Sequence, residues 1–151
     1  WGVDSSETAI EAAGINASLN GVKDKIIFRK EKAERLLEAL EAGQLPERPD
    51  FILLDPPNIV HNKKNLPQAL KMLARMEGAA IKALPSGGYL AVSTCSHHIS
   101  RGMFVETLAG AVAKANRKAV MVELRGQAKD HPILISMPET EYLHFALLRM
   151  V

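Results

Sequence analysis

Phe51-Ile-Leu-Leu-Asp-Pro-Pro-Asn58 decides how the chain is read. Four apolar residues in a row describe a strand buried on both faces. The run ends at Asp55, and two prolines follow. Proline lacks an N–H, fixes its own φ and restricts the residue before it, so the strand stops there. A carboxylate at the C-terminal tip of a buried strand lies where open α/β sheets bind ligands. The plainer alternative is a turn aspartate before proline. A second apolar run, Tyr89-Leu-Ala-Val92, leads into Ser93-Thr-Cys-Ser96 and places the only cysteine at the tip of another strand.

Outward from these runs, strands alternate with helices. Trp1-Gly-Val-Asp4 forms a short strand ending in an acid. Ser5 or Ser6 caps a helix to about Leu19, with Ile10, Ala13 and Ala17 on one face, and Asn20-Gly21 stops it. Ile26-Ile-Phe28 is the next strand, and Lys32 to Ala42 a helix with Leu36, Leu37 and Leu40 at helical spacing. His61-Asn-Lys-Lys-Asn65 is a polar, basic loop. Pro67 fits the first turn of a helix reaching about Leu84, in which Met72, Leu73 and Met76 are core. Ser100 caps a further helix with Phe104, Val105, Leu108 and Val112 inward. Val120 to Leu124 is a strand, Gly126 to Pro138 a long loop, and Tyr142 to Met150 the last strand. This order predicts an α/β domain with a mostly parallel sheet covered on both sides.

Composition narrows the function. At 151 residues and 47% hydrophobic, the chain suits one globular domain. Its apolar runs are too short to cross a bilayer, and no signal peptide is visible, so no membrane partner is expected. A single cysteine excludes an internal disulfide, argues against structural zinc, and favours a reduced, cytoplasmic setting. The net charge of +2 leaves nucleic-acid binding to local patches, for which Lys63, Lys64, Arg75 and Arg101 are candidates.

Asp-Pro-Pro at 55–57, Ser-Thr-Cys-Ser at 93–96 and Gln-Ala-Lys-Asp-His-Pro at 127–132 occur in this order over nearly the whole chain. Together they resemble the S-adenosylmethionine-dependent RNA cytosine-C5 methyltransferases, most closely the bacterial large-subunit ribosomal RNA enzymes that carry an N-terminal PUA domain. The resemblance implies a Rossmann-like class I methyltransferase fold with an antiparallel last strand. It implies S-adenosylmethionine as cofactor and ribosomal RNA as partner, and leaves a homodimer open. It makes Cys95 the nucleophile, with Asp55 beside it. Asp4 is placed to hydrogen-bond ribose hydroxyls, against the alternative of an exposed acid at a helix start. Glu31 is the nearest acid for the adenine amino group, and Asp55 and Pro56 border the cofactor. Pro57, Asn58 and His131 would line the base pocket, with His131 otherwise shaping its turn.

The chemistry explains the cysteine. Cytosine carbon 5 is too weak a nucleophile until a thiolate adds at carbon 6, and the thiolate is the reactive form of Cys95. The bland alternative for Cys95 is a small buried apolar residue. The resembled fold begins with a central strand and a Gly-rich turn, and no such turn lies ahead of Asp4. The chain is therefore read as a methyltransferase domain, residues 1–151, incomplete at its N-terminus. Losing that strand would expose two rows of backbone groups or force the flanking strands to pair. Two other readings stay open: a non-catalytic RNA- or partner-binding fragment, and an amino-group methyltransferase using Asp55-Pro56-Pro57-Asn58. Asn58 cannot stack on a base as the aromatic residue usual in that turn does.

Overall fold

The computed structural model describes residues 1–60 and 62–151, so His61 of the expected basic loop lies outside the described residues. Six strands and four α-helices alternate: β1 (Gly2–Asp4), α1 (Glu7–Leu19), β2 (Phe28–Lys30), α2 (Ala33–Glu41), β3 (Phe51–Leu54), α3 (Leu66–Ala83), β4 (Tyr89–Cys95), α4 (Arg101–Lys114), β5 (Ala119–Arg125) and β6 (Leu143–Met150). Helix starts follow from local chemistry. Ser6 Oγ accepts from the Ala9 N–H and Ser100 Oγ from the Met103 N–H, while Pro67 sits in the first turn of α3. Asn20 caps the end of α1, and Gly21 takes the positive φ of 66° that turns the chain away.

The strands fall into two sheets. β1 and β2 pair in parallel; β3, β4, β6 and β5 form the other sheet in that order. β3 and β4 are parallel, and β6 runs antiparallel to both β4 and β5. Within this sheet β6 is thus the one reversed strand, the arrangement the resemblance implied. No ladder joins β1 to β3 among the described residues.

The core lies on one side of the four-stranded sheet. Alternate residues Leu54, Leu90, Val92, Ala146 and Leu148 pack with Leu36, Leu37 and Leu40 of α2, Leu73 and Ile81 of α3, and Phe104 and Leu108 of α4. One buried charge-bearing group stands out. Glu77 of α3 is fully buried, neither carboxylate oxygen has a hydrogen-bond partner, and burial pushes its pKa up to about 8.

Three expectations need correction. The strand at 51–54 is buried on one face only: Phe51 is 52% and Leu53 65% exposed, because none of the described elements covers their side. For the same reason the sheet is not covered on both sides. The second strand begins at Phe28 rather than Ile26, since Lys23–Lys25 form a 3₁₀ turn and Ile27 pairs only through its carbonyl, which accepts from the Gly2 N–H. β4 ends at Cys95, the strand tip expected for the cysteine, with Thr94 and Cys95 continuing the ladder with His144 and Leu143. No described helix is long and apolar enough to cross a membrane.

Candidate active site

Register and pleat bring the two predicted strand tips together. Leu54 lies opposite Val92, so the next residue, Asp55, comes level with Ser93. Ser93 Oγ donates to Asp55 Oδ1. Cys95 follows two residues further along β4, on the same face as Ser93 and about 7 Å along the strand. That face is the open one, opposite buried Val92 and Thr94. Asp55 is exposed and the Cys95 thiol half-buried, so both are accessible from one side. Sequence reasoning quoted Ser93 without giving it a role. Its signal was the alternation Ser93–Cys95, which puts a hydroxyl on the cysteine's face at the level of Asp55.

The Asp-Pro-Pro-Asn turn is stiffened at both ends. Pro56 is buried, Pro57 exposed, and Asn58 Oδ1 accepts from the Val60 N–H at 3.0 Å. The Asn58 oxygen thus holds the turn itself. The basic loop that follows is organised likewise, with Asn62 Oδ1 accepting from the Asn65 N–H. Lys63 reaches the neighbourhood of the turn after Cys95. Partial desolvation, then His97 and Lys63 beside it, hold the His98 imidazole below its ordinary pKa. The His97 and His98 rings lie 4.2 Å apart.

His131 sits on the loop between β5 and β6. The base of that loop adjoins Cys95, because Leu143 pairs with Cys95. Gln127 holds the loop closed: Nε2 donates to the His131 and Thr140 carbonyls at 2.8 Å each, and Oε1 accepts from the Tyr142 N–H at 3.1 Å. His131 itself is exposed, with Nδ1 3.1 Å from Asp130 Oδ1 and its ring edge-on to Tyr142. The hydrogen bond from His131 holds the exposed Asp130 carboxyl below the usual range. Beyond it, Ile133, Leu134, Ile135 and Met137 are exposed.

The remaining predicted residues form a separate group. Asp4 ends β1 and Glu31 follows β2, and the Glu31 N–H donates to the Asp4 carbonyl at 3.0 Å. Asp4 Oδ1 also accepts from the Ser6 N–H at 2.7 Å, so the helix-start interaction is made. The two acids expected at the cofactor thus stand at adjacent strand ends. An open cavity of about 420 Å³ lies between β1 and β3, lined by Trp1 and Val3 of β1, Leu36 and Leu40 of α2, and Phe51 and Leu53 of β3, and it continues past Asp50 towards Glu47; Asp4, Glu31, Asp55 and Cys95 are not among its lining residues.

No family model matches the chain. The ribosomal RNA large subunit methyltransferase I of Erwinia tasmaniensis is 33% identical over 150 residues, 99% of this chain and 37% of that protein. Its counterpart from Aeromonas salmonicida is 35% identical over 149 residues, 97% and 37% respectively. The chain therefore spans little more than a third of the length of these relatives. Among solved structures, a Streptococcus mutans protein assigned as a SAM-dependent methyltransferase superposes with a TM-score of 0.80 at 15% identity, covering 97% of this chain and 37% of that one. A methyltransferase complexed with SAH gives 0.77 at 14%, over 97% and 38%. NSun6 from Pyrococcus horikoshii, solved with SFG, gives 0.60 at 20%, over 97% and 40%. The chain thus has the Rossmann-like fold of class I methyltransferases, and its homologues are ribosomal RNA large subunit methyltransferases.

Proposed function

We propose that this chain is the catalytic part of an S-adenosylmethionine-dependent RNA methyltransferase that modifies cytosine carbon 5 of large-subunit ribosomal RNA through Cys95. The observation carrying this reading is the shared open face of Asp55, Ser93 and Cys95, with the Ser93 hydroxyl bound to Asp55. The relatives' names supply the substrate class.

On this reading the Cys95 thiolate adds to cytosine carbon 6, and the electrons move to make carbon 5 enamine-like. The cofactor supplies an electrophilic methyl group. After carbon 5 has taken the methyl group it still carries its proton. Loss of that proton to a base lets the carbon 6–sulfur bond break and returns the thiolate. Asp55, held by Ser93 at the level of the reacting ring, stabilises the adduct when its carboxyl is protonated and shares that proton with N3. Pro56, Pro57 and Asn58 fix the turn that carries Asp55, and His131 borders the base from the loop closed by Gln127. Asp4 and Glu31 hold the ribose and adenine of the cofactor.

The unpaired edges of β1 and β3, facing one cavity, fit one more parallel strand of the parent protein. That strand completes the cofactor site between Asp4 and Asp55. The 151-residue chain on its own is then a folded but incomplete unit, which is where the non-catalytic reading applies. The test is methyl transfer by the parent protein to large-subunit ribosomal RNA, followed by mass spectrometry of the nucleosides. The expected product is 5-methylcytosine. A product methylated on an exocyclic amine instead would transfer the reading to the Asp55-Pro56-Pro57-Asn58 turn.

A further inference from the structure

We propose that His144 is a positioning residue for Cys95, holding the turn that follows it through the carbonyl of Ile99. The proposal rests on the reading of Cys95 as nucleophile. β4 ends at Cys95, whose ladder partner is Leu143. From Ser96 onward the backbone has no ladder to hold it, and its course depends on what captures the turn. The Ile99 N–H donates to the Ser96 carbonyl at 3.0 Å, closing the turn on itself. His144 Nε2 lies 2.9 Å from the Ile99 carbonyl, and this ties the closed turn to β6.

A carbonyl only accepts, so Nε2 carries the proton and donates. The contact is built rather than incidental. His144 is 1% and Ile99 1% exposed, and the imidazole stacks on Phe104 of α4 with centroids 6.1 Å apart. Thr94, the ladder partner of His144, is buried beside it. A leucine here would fill the same space on the core face of β6, as Leu148 does further along. An imidazole costs desolvation, and its Nδ1 is left without a partner. What the imidazole adds in return is one directed bond to the backbone four residues past the thiol. It acts from the opposite face of the sheet to Cys95, so it sets the thiol's surroundings without touching the reacting atoms.

Because Cys95 is the only cysteine, thiol alkylation reports on this position alone. The experiment measures iodoacetamide alkylation of the folded 151-residue chain across pH, with far-ultraviolet circular dichroism and thermal melts as folding controls. His144→Leu removes the donor, releases the turn and is expected to raise the alkylation rate by about tenfold. His144→Gln and His144→Asn keep a buried amide, but only glutamine reaches the position of Nε2. His144→Gln is therefore expected to stay within about twofold of the parent chain, and His144→Asn to behave like His144→Leu. If His144→Leu does not fold, the Gln and Asn pair decides. Unchanged alkylation in His144→Asn, or equal disturbance in His144→Gln and His144→Asn, overturns the brace. Failure of Cys95 to form an adduct with RNA would remove the nucleophile reading and leave this measurement standing.

Discussion

The four-stranded sheet with α2, α3 and α4 is a closed half of the molecule; β1, β2 and α1 form an open one. In the closed half, Leu73, Ile81, Leu90, Val92 and Phe104 are fully buried. In the open half only Ala17 is buried, while Ile15 is 62% and Leu19 79% exposed. The candidate residues divide along the same line. Asp55 and Cys95, assigned to the base, extend from the closed half, whereas Asp4 and Glu31, assigned to the cofactor, belong to the open one. On the proposed reading, base chemistry is organised on a packed scaffold. On the same reading, cofactor binding depends on the open half.

Four measurements bear on that contrast. The largest effect is expected for Cys95→Ala in the parent enzyme. Methyl transfer should fall by at least about a thousandfold, each tenfold being about 1.4 kcal/mol of barrier. Stability should change by only about 1 kcal/mol, since one sulfur is removed from a half-buried strand tip. Near-normal turnover would remove Cys95 from the chemistry.

Packing should next separate the two faces of the four-stranded sheet. In urea denaturation of the 151-residue chain, Phe104→Ala is expected to cost about 3–5 kcal/mol, the usual loss for a fully buried aromatic. Phe51→Ala, at a side chain 52% exposed on the open face, should cost about 0.5 kcal/mol. Equal costs would mean that the open face is covered in solution.

Glu77 gives the closed half a pH dependence. Its pKa rises on folding from 4.5 to about 8, so between those values the folded chain holds a proton that the unfolded chain has released. Stability should be full below pH 4.5, decline as pH rises to about 8, and level off above it. The total change is on the order of a few kcal/mol at about 1.4 kcal/mol per unit of pKa. Glu77→Gln should flatten this profile and be the more stable form at pH 9, as read from denaturant midpoints. A Gln variant with the parent's slope would show that Glu77 is already charged in the folded chain.

The smallest effect concerns the open half. Calorimetry should show weak or no binding of S-adenosylmethionine to the isolated chain, and micromolar binding would contradict the open slot. In the parent protein, Asp4→Ala should weaken the cofactor about tenfold, the worth of one hydrogen bond to a charged group. Unchanged affinity would leave Asp4 as a helix-start residue holding the Ser6 N–H.

What the sequence displayed follows the same division. Helix starts at Ser6 and Ser100, the strand at 51–54 and the core positions Leu73, Phe104 and Leu108 were legible because caps, prolines and periodicity are local signals. Burial of Phe51 and Leu53 was misjudged because an apolar run records what a strand can bury, not what is there to cover it. The pairing of Asp55 with Ser93 depends on register between strands 38 residues apart, which no local pattern carries. His144 was overlooked, and Gln127 quoted in its motif without a role, for the same reason, since each acts on a backbone group brought near only by the fold.

The central claim, that Cys95 attacks the base, is tested most directly by trapping. RNA containing 5-fluorocytosine at the target, incubated with the parent enzyme and S-adenosylmethionine, leaves carbon 5 with a fluorine that cannot depart as a proton. The cysteine should then stay bound at carbon 6. Mass spectrometry of the digested complex is expected to find the nucleotide on the peptide containing Cys95, and Cys95→Ala should give no adduct. A covalent complex mapped to any other residue, or formed equally by Cys95→Ala, would contradict the account.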